Sequence, residues 1–68
     1  MGILSLSAME KLLRKAGSER VSLSASKEFA AVLEDIALIL GRDAVEYAKH
    51  AGRKTVVGED IKLAKKKL

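Results

Sequence analysis

The chain has 68 residues, nearly half of them hydrophobic, and its 13 Lys or Arg against 9 Asp or Glu give a net charge of +4. A domain of this size buries only about 60% of the surface that its unfolded chain exposes, so a single core is marginal unless something braces it. The chain has no cysteine and one histidine, His50, which excludes disulfides and a tetrahedral zinc site. We therefore expect a partner chain to complete the core, and we expect no metal or cofactor.

The apolar runs are too short to span a membrane, because the longest, Phe29 to Leu33 and Ile36 to Leu40, have five residues each. The first residues lack the basic stretch and the long apolar run of a secretory signal, so we expect a cytoplasmic protein. The segment from Met9 to Lys15 is basic and amphipathic, which makes a membrane-surface peptide one alternative. The acidic residues of the central segment argue against that alternative.

The spacing of apolar residues predicts three helices in the order short, long, short. The first begins at a capping box from Ser7 to Glu10 and ends at Gly17, which suits the left-handed turn after a helix. The second runs from Leu23 to His50, and the third runs from Gly58 to Leu68. A break at Gly41 is the alternative, because an interior glycine costs a helix about 1 kcal/mol relative to alanine.

A second chain is needed to cover the long helix. At 1.5 Å per residue the helix would extend roughly 42 Å, which two short helices cannot cover. Its middle, from Ile36 to Leu40, is apolar on nearly every side and would face water in a monomer. The residues that we assign to the core of the dimer are Phe29, Leu33, Ile36, Ile39 and Leu40.

Positive charge is concentrated outside the long helix. Residues 24–51 have a net charge of −2, whereas residues 1–23 and 52–68 have +2 and +4. Basic connectors and helix ends suit a polyanion, because lysine and arginine neutralise phosphates and release counterions. The sequence has no tryptophan and one tyrosine, so it lacks the stacking platforms of single-strand binders, which favours duplex DNA. Solvated surface charge is the alternative, above all for Lys65 to Lys67 at a helix C-terminus.

Three stretches of the sequence resemble an archaeal histone: Lys15 to Ser22, Ala48 to Val56 and Glu59 to Ala64. The resemblance implies an all-α histone fold, a single domain of residues 1–68 that pairs head to tail with a second chain in a handshake dimer. It also implies a chromatin protein of the nucleoid, not an enzyme, that binds duplex DNA with little sequence preference and bends, wraps or compacts it.

The resemblance also implies roles for the basic residues. Arg20, in the first connector, resembles the arginine that enters the minor groove, although pairing with Glu19 or capping of a neighbouring helix is an alternative. Lys54 and Thr55 resemble the phosphate contacts of the second connector, beside the first connector of the partner. The first-helix residues that resemble contacts to the DNA backbone are Lys11, Arg14 and Lys15.

Two further contacts are implied by the resemblance. Arg53 and Asp60 resemble an internal ion pair that fixes the second connector. His50 and Asp60 resemble a hydrogen bond between dimers, and Tyr47 shares a helix face with His50. The alternative for His50 is a simple cation at a helix C-terminus. No nucleophile or second histidine accompanies His50, so an enzymatic role is not expected.

The sequence departs from the family pattern at two informative positions. Val57 stands where lysine is frequent, which removes one phosphate contact per chain, and Leu38 stands where a charged residue is typical. These departures leave a second hypothesis open, in which the chain is a histone-fold subunit that dimerises with another protein and binds DNA weakly or not at all. The partner chain is expected to be a second copy or another histone, and dimers could join into tetramers or longer stacks on DNA.

Overall fold

The computed structural model describes residues 3–68, so the first two residues of the predicted domain lie outside the described residues. It contains α1 (Leu6–Lys15), α2 (Leu23–His50) and α3 (Gly58–Lys65), with no strand in the described part of the chain. The all-α class and the order short, long, short are confirmed. None of these three helices has a stretch that is long and apolar enough to cross a membrane.

The start of α1 differs from the prediction. The Ser5 Oγ, not that of Ser7, accepts a hydrogen bond from the Ala8 amide at 3.2 Å, and α1 therefore begins at Leu6. Ser7 lies inside the helix. The predicted capping box is wrong because the earlier serine satisfies the free amide and the Glu10 carboxylate is bonded to a side chain further along α1.

Two glycines end α1 and α2 in the same way. Gly17 has φ +121° and Gly52 has φ +75°, values that favour glycine because other residues have a Cβ that crowds the backbone there. The next amides, those of Ser18 and Arg53, donate to carbonyl oxygens five residues earlier, at 3.1 and 2.9 Å. Both bonds belong to the Schellman arrangement, which satisfies carbonyl groups left free at a helix end.

The long helix α2 has the predicted bounds and is continuous. It begins after Ser22, whose Oγ accepts a hydrogen bond from the Ala25 amide at 3.0 Å. It passes through Gly41 without a break, so the alternative of two shorter helices is wrong. The third helix is shorter than predicted, because it ends at Lys65 and the last residues form turns instead.

The chain divides into two compact units, one that ends at Asp35 and one from Ile36 to Leu68. In the first unit, Met9 of α1 and Ala30 of α2 are buried. In the second unit, the buried apolar residues are small and lie on α2 and α3: Ala44, Ala48 and Ala64. Few of the described apolar residues are buried in either unit, and all of these except Met9 are alanines, so each unit encloses only a small apolar interior.

Large apolar side chains remain at the surface of this chain. Among the residues assigned to the dimer core, Phe29, Leu33 and Leu40 are half-buried, whereas Ile36 and Ile39 are exposed. Within the described residues, no leucine, isoleucine or valine is fully buried. Burial of apolar surface is the main driving force for folding, so the chain alone leaves much of that stabilisation unused.

Candidate nucleic-acid interface

The first unit presents four exposed basic residues, which we call the first basic cluster: Lys11, Arg14, Lys15 and Arg20. Arg14 and Lys15 lie in the last turn of α1, where positive charge is favoured by the helix dipole. Arg20 lies in the connector between α1 and α2. The cluster therefore follows one helix end into the loop after it.

Arg20 is held through its backbone and its side chain is exposed. The Ser18 Oγ donates a hydrogen bond to the Arg20 carbonyl oxygen at 2.6 Å. Within residues 3–68 the Arg20 guanidinium forms no ion pair, so the alternative pairing with Glu19 is not observed. The guanidinium is thus available to an external anion.

Arg14 makes three hydrogen bonds within the chain. Its Nε and Nη2 donate to Oε2 of Glu10 at 3.1 and 2.9 Å, and its Nη1 donates to the carbonyl oxygen of Glu19 at 3.1 Å. None of these three hydrogen bonds is among the contacts predicted from the sequence. The spacing of four residues between Glu10 and Arg14 is the signal that indicates the ion pair, whereas the bond to Glu19 depends on how the chain turns at Gly17.

The second connector folds around a bidentate contact between Arg53 and Asp60. Nη1 and Nη2 of Arg53 donate to Oδ2 and Oδ1 of Asp60, each at 2.9 Å, and Nη1 also donates to the Thr55 carbonyl oxygen at 2.9 Å. The amide of Val57 donates to Oδ2 of Asp60 at 2.9 Å. Val57 has no side-chain acceptor, so Asp60 alone caps the start of α3.

This contact shifts the acid–base properties of both partners. The Asp60 side chain is only 2% exposed, whereas that of Arg53 is 37% exposed. The hydrogen bond from Arg53, followed by that from the Val57 amide, lowers the pKa of Asp60 from 3.8 to about 2. The same hydrogen bond raises the pKa of Arg53. The charged forms are therefore favoured, and Arg53 has a structural contact in the second connector.

We expect Asp60→Asn to destabilise the protein at neutral pH and to remove part of its acid sensitivity. A lowered folded pKa stabilises the fold above the unfolded value near 3.8, and that stabilisation is lost as the pH falls toward 2. Denaturant unfolding of wild type and variant across this range measures the effect, and the two curves should converge as the pH falls.

The matched control for this experiment is Glu46→Gln, which removes an exposed carboxylate of α2. For this variant, the difference in the free energy of unfolding between neutral and acidic pH should be close to that of the wild type. If the free energy of unfolding of Asp60→Asn instead falls with pH in parallel with that of the wild type over the whole range, the contact with Arg53 does not contribute to pH-dependent stability.

Lys54 and Thr55 lie in the second connector, and both are exposed. The Thr55 backbone is held by Arg53, which leaves its hydroxyl at the surface. We call Lys54 and Thr55 the second-connector pair. It belongs to the unit that starts at Ile36, whereas the first basic cluster belongs to the unit that ends at Asp35.

The residues assigned to contacts between dimers differ in their surroundings. His50 is exposed and Tyr47 is half-buried, with the Lys67 ammonium nitrogen 5.2 Å from the centre of the Tyr47 ring. Asp60 is buried, and its Oδ1 keeps one acceptor position after the bonds above. In the part of the chain described here, no group of three or more acidic or histidine side chains could hold a metal ion.

The family model and the similar proteins that match this chain indicate the same family. Residues 4–64 match the family model described as histone-like transcription factor (CBF/NF-Y) and archaeal histone. The chain is 50% identical over 66 residues to one of the HAN1 archaeal histones of Thermococcus zilligii, and the match covers 97% of this chain and 98% of that protein. It is also 50% identical over 64 residues to probable archaeal histone 3 of Methanocaldococcus jannaschii, covering 94% and 96% of the two chains.

A eukaryotic protein shows a more distant similarity. Histone H4 of Dictyostelium discoideum is 37% identical over 60 residues. The match covers 88% of this chain but only 56% of the histone H4.

Proposed function

Because this chain belongs to the family of histone-like transcription factors and archaeal histones and has a histone fold, we propose that it is a chromatin protein that binds duplex DNA. In this proposal the protein is associated with the nucleoid and bends, wraps or compacts DNA without catalysis. The observation that carries the proposal is the exposed first basic cluster together with the exposed second-connector pair, with hydrogen bonds to the backbone of both connectors. Charged and hydroxyl side chains of this kind bind phosphates without reading bases, so little sequence preference is expected.

The functional unit in this proposal is a handshake dimer in which residues 1–68 of each chain act as one domain. Support comes from the exposed apolar side chains of α2 and from the small interior of each unit. Further support is a depression of about 570 Å³ beside the first connector, with Leu13 and Val21 among its lining residues. In the dimer, the second connector of the partner covers this depression. The second chain is another copy or a related histone.

Pairing in this way brings the first basic cluster of one chain next to the second-connector pair of the other. Arg20 enters the minor groove, where negative potential is concentrated, and Lys54 and Thr55 bind the flanking phosphates. Lys11 and Lys15 add charge beside the DNA backbone.

The test of the proposed function is a titration of duplex DNA at several salt concentrations. For about 6–10 phosphate contacts per dimer, the slope of log affinity against log salt should be about −5 to −9. Lys54→Ala should make the slope shallower by about 2 per homodimer, because one contact is lost on each chain. The matched control is Lys62→Ala, an exposed lysine of α3 in the same unit, which should leave the slope unchanged.

A slope near zero would contradict the proposal. It would favour the second hypothesis, a histone-fold subunit that dimerises with another protein and hardly binds DNA. The exposure of Val57, 41% of whose surface is accessible where the family often has lysine, favours that hypothesis.

We also propose that dimers associate on DNA through Tyr47, His50 and Asp60. His50 is exposed. Oδ1 of Asp60, although its side chain is only 2% exposed, keeps one acceptor position, which is the one that a histidine of another dimer would use. The contact is weak in solution, because the hydroxyl of Tyr47 needs a partner when buried. Adjacent binding on one duplex raises the effective concentration of the second dimer and so promotes the contact.

Nuclease digestion of loaded DNA tests this association. The wild type should protect a ladder of fragments, whereas His50→Ala should protect only the footprint of one dimer. On a duplex that holds a single dimer, His50→Ala should bind with unchanged affinity. Lys49→Ala changes the neighbouring exposed residue of α2 and should keep the ladder. If His50→Ala also keeps the ladder, any stacking uses another surface.

A further inference from the structure

Both peptide groups that flank the Cα of Arg20 are held by side chains of the first unit. Nη1 of Arg14 donates to the carbonyl oxygen of Glu19, which belongs to the peptide group before Arg20. The Ser18 Oγ donates to the carbonyl oxygen of Arg20, which belongs to the peptide group after it. Fixing both peptide planes fixes the backbone dihedral angles of Arg20, and with them the direction in which its side chain leaves the connector.

The orientation of Arg14 is in turn set by Glu10. Two nitrogens of the guanidinium, Nε and Nη2, donate to the same carboxylate oxygen of Glu10, so the planar group cannot turn freely. This leaves Nη1 directed at Glu19. Three of the five N–H groups of Arg14 are thus used within the chain, by contacts that run from α1 to the connector.

The ion pair of Glu10 and Arg14 carries almost no net charge, unlike the other basic residues of the first basic cluster. Glu10 places a negative charge beside residues that we propose to face DNA, and it offsets the positive charge of Arg14. By charge alone, Glu10 would weaken binding to a polyanion. Through Arg14, however, Glu10 is also linked to the Glu19 carbonyl oxygen of the connector.

We infer that Arg14 is a positioning residue, which acts together with Glu10 to preorganise the connector for insertion of Arg20, and is not itself a phosphate contact. The inference rests on the proposed function, because it assigns a role within the DNA-binding surface. It also replaces the role in DNA-backbone contact that the family resemblance implies for Arg14. A connector ordered in advance loses less conformational entropy on binding, so the effect is on affinity.

The test uses two substitutions whose effects on charge differ from their effects on position. Arg14→Lys keeps the positive charge but lacks the planar group that reaches both Glu10 and Glu19. Glu10→Gln removes a negative charge and the ion pair. We expect each to weaken duplex binding about tenfold, from the added ordering of both connectors of a dimer, with the slope against salt unchanged. Exposed ion pairs contribute little to folding, so the helical content should be that of the wild type.

Whether the effect of Arg14 depends on Arg20 is measured by combining substitutions at these two residues. In the Arg20→Ala background, Arg14→Lys should have no further effect on affinity, because its role is exerted through Arg20. Two controls match the charge changes elsewhere: Arg42→Lys and Glu28→Gln, at exposed positions of α2. Arg42→Lys should bind as the wild type does, and Glu28→Gln should bind equally well or slightly more tightly.

The direction in which Glu10→Gln changes the affinity for duplex DNA distinguishes a positioning role of Arg14 from a phosphate contact. Tighter binding by Glu10→Gln, together with wild-type binding by Arg14→Lys, would overturn the inference and make Arg14 a simple cation or phosphate contact, while the proposed function would stand. Additive effects of Arg14→Lys and Arg20→Ala would overturn it as well. If the wild type fails to bind duplex DNA, the proposed function fails first, and the inference fails with it.

Discussion

Ile36→Asp is expected to abolish the folded dimer. Ile36 is 37% exposed in the single chain, where a carboxylate would remain hydrated, but the proposed dimer buries it. An unpaired buried carboxylate costs several kcal/mol, and a homodimer would contain two. That cost is comparable to the roughly 5–15 kcal/mol by which proteins of ordinary stability are folded. The helical signal in circular dichroism and the sedimentation coefficient should therefore decrease together, and no folded monomer should be detected.

A matched control lies two residues further along α2. Leu38 is 51% exposed, and a displacement of two residues places it on nearly the opposite side of the helix from Ile36. The apolar stretch from Ile36 to Leu40 by itself predicts that a charge at Leu38 also unfolds the dimer. Because Leu38 faces away from Ile36, we expect instead that Leu38→Asp, which introduces the same charge, leaves the dimer folded. A helical monomer of Ile36→Asp at micromolar concentration would show that the chain folds alone and that the handshake dimer is wrong.

Arg20→Ala is expected to cause the largest loss of DNA affinity among the basic residues. A hydrogen bond to a charged group contributes about 1.5 kcal/mol or more, and each homodimer has two such arginines, so the loss is about 3 kcal/mol or a hundredfold. All duplexes should be affected, and those whose minor groove narrows easily should lose most. Fluorescence anisotropy with an A-tract duplex and a mixed-sequence duplex measures both effects.

Arg42→Ala, which removes an exposed arginine of α2, is the matched control and should change affinity by far less. Losses confined to one base sequence would contradict backbone and minor-groove binding, because that pattern requires contacts with base edges. Equal losses for Arg20→Ala and Arg42→Ala would indicate diffuse electrostatic attraction without insertion of Arg20.

The sequence predicts α2 to the residue because several signals agree there. Ser22 precedes the apolar spacing and Gly52 follows it, and the interior glycine is too weak a signal to end a helix of this length. The start of α1 is less well determined, because Ser5 and Ser7 are both good capping residues. Only the competing contact made by Glu10 decides between them.

The contacts within the connectors could be predicted only in part. The pair of Arg53 and Asp60 is implied by the family resemblance, and the structure places the two side chains in bidentate contact. The bond from Arg14 to Glu19 has no signal in the sequence, because it depends on the path of the chain after Gly17. Contacts between residues brought together by a turn follow from backbone geometry, which apolar spacing does not specify.

Tyr47, which lies beneath the Lys67 ammonium, is an intrinsic fluorescent probe in this protein. Tyr47 is the only tyrosine and there is no tryptophan, so near-ultraviolet fluorescence arises almost entirely from this one ring. Its emission therefore reports on the end of α2 and on the C-terminal turn that carries Lys67. Loss of the contact with Lys67, and burial of the Tyr47 ring in the proposed association of dimers, can be followed without a label.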